Sequence, residues 1–216
     1  MARDLREDVT FRTFRDRVPD INHIYAAQHT LSSFASIPSP RFFSIHERYN
    51  ADFPKVVYLL RDPRDVMISF YHYRHTRERS YSGSLQEFLR SDDHYPCRWD
   101  EHVAGWLLDG VKANVCLIRY EEMQRETSAA LRRVLDFAEV RCTDAELERA
   151  VEASRFEQMR SAEEQYKSPP VADSNGIFVR RGKVGGYADE LEVENIRIIE
   201  EKYGTVMRIV GYEPSC

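Results

Sequence analysis

The amino-acid sequence predicts an α/β protein with a parallel sheet flanked by helices, and three observations carry that prediction. Residues 56–60, VVYLL, form an unbroken apolar, β-branched and aromatic run, the pattern of a strand buried on both faces. Residues 114–119, NVCLIR, repeat it. Around these runs, apolar residues recur at helical spacing behind recognisable helix starts.

In chain order, residues 1–30 are polar, with a short helix expected near 11–17 and a turn at Pro19 and Asp20. A Pro/Ser turn at 36–40 precedes a short strand over 41–45, RFFSI, which ends at His46. The strand over 56–60 ends at Arg61. Asp62 then suits an N-cap, Pro63 the first helical position, and Asp65 the negative charge favoured in a first turn. Val66, Phe70 and Tyr73 continue that helix, and the basic, hydroxyl-rich residues 74–82 follow. Ser84 and Glu87 make a capping box that opens a helix with Leu85, Phe88 and Leu89 inward. Residues 92–96 break it.

Trp99, Val103, Trp106 and Leu107 mark an amphipathic helix. His102 lies one residue off its stripe and reads as structural. A helix over 128–138 turns Leu131, Val134, Leu135 and Ala138 to one side. A second capping box, Thr143 with Glu146, starts the helix carrying Leu147, Ala150 and Val151. Residues 161–175, poor in apolar side chains and containing Pro169-Pro170, read as a mobile loop. A last amphipathic helix over 190–210 buries Leu191, Ile196, Ile199, Tyr203, Val206 and Val210. With no internal repeat and no boundary, residues 1–216 read as one domain.

The 216 residues suffice for a sizeable core, and 42 % hydrophobic with 31 % charged residues describes a soluble globular chain. A net charge of −5 argues against a general nucleic-acid binder. No apolar run approaches the roughly 18 residues of a membrane span, and the mixed-charge N-terminus has no signal-peptide core. Cys97, Cys116, Cys142 and Cys216 contain no C-x-x-C pair, so no metal is expected. The expectation is a reduced, cytoplasmic protein without nucleic-acid or membrane partners.

Four places have the chemistry of a site. Arg61, at the carboxyl end of a strand beside a helix N-terminus, offers a planar fork of donors for a phosphate. Ser69, two helical turns beyond Asp62, adds a hydroxyl. The plainer alternative is an Arg61 paired with Asp62 or Asp65. Residues 180–187, RRGKVGGY, combine three glycines and three cations in a backbone that can approach an anion closely, or form a solvated basic loop. His46, at a strand end, suits a general base, although surface histidines are commoner. Tyr120, at the second strand's end, lies where a ligand or the core would take it.

Together these motifs resemble the cytosolic and bacterial sulfotransferase family, which uses 3′-phosphoadenosine 5′-phosphosulfate (PAPS). YLLRDPRDVMISFYHY is similar to the family's 3′-phosphate-binding strand and helix, an Arg and a Ser eight residues apart. RRGKVGGY resembles its C-terminal R-K-G-x-x-G segment, with Arg181 in the lysine position and Gly186-Tyr187 where Asp-Trp is common. The resemblance covers the chain from about residue 11 onward. It implies that Arg61, Ser69, Arg180, Arg181 and Gly182 hold the 3′-phosphate. It further implies that Tyr120, Ser154 and Phe156 contact adenine, with Phe156 stacking on the base, and that His46 is the catalytic base. The implied fold is the P-loop nucleotide-binding type. The implied reaction moves a sulfuryl group from PAPS to a hydroxyl or amine of a small acceptor, with no metal.

Two features depart from the family pattern. The family's opening strand and Y-P-K-S-G-T-x-W-like 5′-phosphosulfate loop have no counterpart, and GKVGG lacks P-loop spacing. Ser44 stands where many members have lysine. The fold is accordingly expected to be N-terminally incomplete and the printed chain a poor enzyme. A misassigned start is the preferred explanation. The alternatives are a non-catalytic, degenerate member binding adenosine 3′,5′-bisphosphate or a partner, and a site completed by an oligomeric neighbour.

Overall fold

The computed structural model describes residues 18–21, 41–109, 114–165 and 179–215. β1 (Lys55–Leu60) runs straight into α1 (Pro63–His72), whose N-cap Asp62 accepts a hydrogen bond from the Arg64 amide. Proline at N1 costs nothing there, because that amide would be unpaired anyway. A π-helical turn (Tyr73–Arg77) prolongs α1. Next come α2 (Leu85–Arg90) and α3 (Trp99–Val103), the latter continuing as a π-helical turn (Ala104–Asp109). β2 (Asn114–Arg119) leads into α4 (Tyr120–Arg125), α5 (Thr127–Phe137), α6 (Asp144–Ala153) and α7 (Phe156–Gln165). A 3₁₀ turn (Gly186–Asp189) precedes the long α8 (Val193–Ile209). Both capping boxes read from the sequence close as expected, at Ser84–Glu87 and at Thr143–Glu146.

β1 and β2 pair in parallel, from Lys55 opposite Asn114 to Leu60 opposite Arg119. Among the described residues they make a two-stranded sheet. Parallel partners share faces and alternate along the strand. Tyr58 and Leu60, with Leu117, therefore meet the main core, where α1, α2, α3 and α8 contribute Met67, Phe88, Trp106, Tyr203 and Met207. Cys116 and Ile118 face the other way, onto Ala130, Val134 and Phe137 of α5.

Four expectations need correction. β1 is not buried on both faces: Leu59 is 63 % exposed. On that face Val57 packs against the cluster beneath α5, while Leu59 at the far end of the strand stays largely open. Among the described residues, the strand expected at 41–45 is a single parallel bridge between Ser44 and Asp20, in which Ser44 bonds to the Pro19 carbonyl and the Ile21 amide. Residues 161–165, expected to open a loop, are helical instead, because α7 runs to Gln165, rich in helix-forming Glu, Gln and Ala. The last helix starts at Val193 and buries Ile198 and Met207, while Ile196 and Val206 are only half-buried. The expected helix at 11–17, the turn at 36–40, residues 166–175 and Cys216 lie outside the described residues. Among those described, no helix is long and apolar enough to cross a membrane.

Candidate functional site

The end of β1 is tied to the basic glycine segment by one carboxylate. Asp65, in the first turn of α1, is 2 % exposed. It accepts from the amides of Gly185 (2.9 Å) and Tyr187 (2.8 Å) and pairs with Arg61 (3.2 Å). Arg61 also donates to the Lys183 carbonyl (3.0 Å) and stacks its guanidinium on Tyr120, 4.2 Å from the ring centre. Its Nε is buried and has no hydrogen-bond partner among the described residues. An orphaned charged donor of this kind is what an anion at the strand end would satisfy. Burial raises the Tyr120 hydroxyl's pKa, against the pull of Arg61, so it remains a neutral phenol.

A second carboxylate organises the cations. Glu190 receives Arg180 through both terminal nitrogens (2.8 and 2.9 Å), Arg181 (2.7 Å) and the His72 Nε2 (2.8 Å). Burial alone would raise its pKa, but these hydrogen bonds outweigh burial and hold it at about 2. Asp189 takes Lys183 (2.5 Å) and Arg181 (3.2 Å). Arg180 and Arg181 thus stand ready-oriented on the side of α1 that carries His72, one turn beyond the exposed Ser69.

The third wall comes from α7. Phe156 lies at its first position, and a Cβ added to Gly182 would sit 2.5 Å from the Phe156 Cδ2. Gly182 has φ +59°, so glycine serves both the turn and the close approach. Glu163 accepts from the Val179 amide (2.8 Å) and pairs with Arg77 (2.9 Å), docking α7 on this segment. The Ser154 hydroxyl donates to the Val151 carbonyl (2.9 Å) and caps α6.

Gly182→Ala should lower stability by about 1–3 kcal/mol, combining left-handed strain with displacement of the ring. Gly185→Ala is the control: its φ is +67°, but nothing lies within 4 Å of an added Cβ. It should lose only the backbone part. Equal drops in urea midpoint for the two would show that the Phe156 contact is not limiting.

Of the residues singled out in the sequence, Arg61, Tyr120, Phe156, Arg180, Arg181 and Gly182 converge. Ser69 joins the same side of α1, and Ser154 stays with its own helix. The segment that carries His46 is linked to the Arg61 turn through α3. Trp99 Nε1 donates to the Arg61 carbonyl (3.3 Å), while His102 Nε2 meets the Glu47 carbonyl (3.0 Å). Asp65, read from the sequence as an alternative partner for Arg61, does pair with it and also holds the amides of Gly185 and Tyr187. His72 and Glu190 are site residues the sequence reading lacks, and of these two His72 has a local signal, its place one turn after Ser69.

The sulfotransferase domain family matches residues 2–211 of the chain. The amine sulfotransferase of Oryctolagus cuniculus is 25 % identical over 174 residues, covering 73 % of this chain and 58 % of that protein. Sulfotransferase 4A1 of Mus musculus is 30 % identical over 195 residues, covering 84 % and 63 %. The chain thus spans about three fifths of the length of these relatives. Among solved structures, retinol dehydratase in complex with retinol and PAP superposes with TM-score 0.70 at 21 % identity, over 90 % of this chain and 65 % of that one. Mouse sulfotransferase SULT7A1 complexed with PAP does so with TM-score 0.65 at 22 % identity, over 79 % and 68 %. At such identities the likeness is one of fold.

Proposed function

The chain belongs to the sulfotransferase domain family, and from that premise we propose that it binds PAPS and serves transfer of a sulfuryl group to a hydroxyl or amine of a small acceptor. The observation that supports this most is the meeting of Arg61 with residues 180–187 on Asp65. It sets an orphaned guanidinium donor beside a glycine-rich basic turn, as a 3′-phosphate requires. In this reading Arg61, Ser69, Arg180, Arg181 and Gly182 hold the 3′-phosphate, while Tyr120, Ser154 and Phe156 form the adenine side. Each charge-assisted bond to a phosphate contributes about 1.5–3 kcal/mol.

The chemistry asks mainly for positioning and charge stabilisation. The acceptor oxygen or nitrogen attacks sulfur, the bond from sulfur to the 5′-phosphate oxygen breaks, and adenosine 3′,5′-bisphosphate leaves with that electron pair. His46 takes the acceptor's proton as attack proceeds. Its exposed side chain suits that role.

The test is transfer of labelled sulfate from PAPS to a panel of phenols, alcohols and amines, with calorimetry of adenosine 3′,5′-bisphosphate binding. His46→Ala should lose about 10²–10⁴ in kcat, the usual contribution of a general base, and keep nucleotide affinity. Retained turnover would refute His46 as base. Nucleotide binding without transfer would favour a non-catalytic binder, and neither would sink the proposal.

A further inference from the structure

We infer that Tyr58, His102 and Trp106 are positioning residues for His46, holding the next residue's carbonyl and so fixing the backbone from which the imidazole projects. The inference rests on the reading of His46 as base. Trp106 Nε1 donates to the Glu47 carbonyl (3.0 Å), and His102 Nε2 lies 3.0 Å from the same oxygen. A carbonyl only accepts, so Nε2 carries the hydrogen. The other ring nitrogen, Nδ1, is 2.8 Å from the Tyr58 hydroxyl. In a neutral ring it accepts from that hydroxyl, giving one line of donors from Tyr58 through His102 to Glu47. Burial lowers the pKa of His102, against the opposing pull of the Glu47 and His46 backbone, and favours the neutral form. Burial likewise raises the Tyr58 pKa and keeps its hydroxyl a donor.

The hold on this segment is wider than one carbonyl. Tyr95 donates to the Glu47 carboxylate (2.5 Å), and Arg48 pairs with Glu101 (3.2 Å). All these partners except Tyr58 come from residues 95–106, the stretch that also supplies Trp99 to the Arg61 carbonyl. α3 and its π-helical continuation therefore grip the His46 segment and the Arg61 turn at once. They set the separation between base and nucleotide clamp, a spacing to which transfer rates are steeply sensitive.

The test compares His102→Leu, His102→Gln and Tyr58→Phe in the full chain. His102→Leu should lower kcat about tenfold to a hundredfold, as a displacement near 1 Å would, with nucleotide affinity changed less than about twofold. His102→Gln, whose amide can replace the Nε2–H donor, should recover most of the loss, and Tyr58→Phe should fall between. Amide hydrogen exchange at Glu47 and Arg48 should quicken in His102→Leu and not in His102→Gln. Nitrogen-15 spectra of the ring should show His102 neutral with its proton on Nε2. Unchanged kcat in His102→Leu, equal damage from Leu and Gln, or parallel loss of nucleotide affinity would overturn the inference. A wild-type chain that transfers nothing would sink the functional reading instead. The exchange and ring spectra then decide the hold alone, and a proton on Nδ1 or unchanged exchange would overturn it.

Discussion

Asp65→Ala is expected to lower the unfolding free energy by about 3–5 kcal/mol, the cost typical of removing one partner from a buried charge pair. The carboxylate satisfies the amides of Gly185 and Tyr187 and balances Arg61. Alanine leaves those two amides unpaired, each at about 1–3 kcal/mol, and releases the guanidinium that packs on Tyr120. The variant that still folds should bind adenosine 3′,5′-bisphosphate at least tenfold more weakly, since a lost charge-assisted bond is worth that much or more. Asp65→Asn keeps one acceptor oxygen and should land between. Urea unfolding and calorimetry read the two effects separately. An unchanged urea midpoint in Asp65→Ala would show that the segment docks by other means.

The second large effect is a pH dependence centred on His94. The ring is 6 % exposed and packs on Phe88, with centroids 4.7 Å apart, and on Phe70 at 5.9 Å. Neither ring nitrogen has a partner among the described residues. Burial first, then the nearby charges of Lys202 and Arg74, lower its pKa from 6.5 to about 4, against the pull of Asp92 and Asp93. The unfolded chain therefore takes up a proton below about pH 6.5 that the folded chain refuses until about pH 4. Stability is full above that window, falls as pH drops through it, and levels off below it. A shift of that size amounts to about 3 kcal/mol. His94→Leu should abolish this slope and cost little at pH 7, because the apolar side chain leaves no nitrogen unpaired. Glu190 contributes its own acid dependence only between 4.5 and about 2. Denaturant midpoints measured from pH 7 to 4 check this, and an equal slope in His94→Leu would assign the effect elsewhere.

Local signals were the legible ones. Both capping boxes, the Asp62-Pro63 helix start and the two parallel strands are written in contiguous residues, and all formed where expected. Arg61 and Arg180–Gly182 were legible as anion-suited pieces, but their joint was not. The pairing of Asp65 with Arg61, four residues away, was legible as the plainer alternative and is present, but its two amide partners lie 120 and 122 residues further along and leave no pattern beside it. The contact between Glu190 and His72 was missed for the same reason, being made across 118 residues. At 41–45, apolar β-forming residues suggested a strand. Strand formation depends on a neighbour to pair with, and among the described residues Ser44 meets just the turn at Pro19 to Ile21. Residues 161–165 carry little apolar surface, yet Glu163 holds them down through Arg77 and the Val179 amide.

The joint at Asp65 also bears on the order in which the molecule is made. Closing a loop of this length costs about 0.6 kcal/mol more than closing one half as long, and contacts so distant in sequence form slowly. The strand–helix turn around Arg61 leaves the ribosome well before Gly185 and Tyr187 are available to complete it. On the proposed function, competence to bind the nucleotide arises only after residues 180–187 have been made. In refolding it should return with the slowest phase, and recovery in an early phase would show that the turn is organised without its distant half.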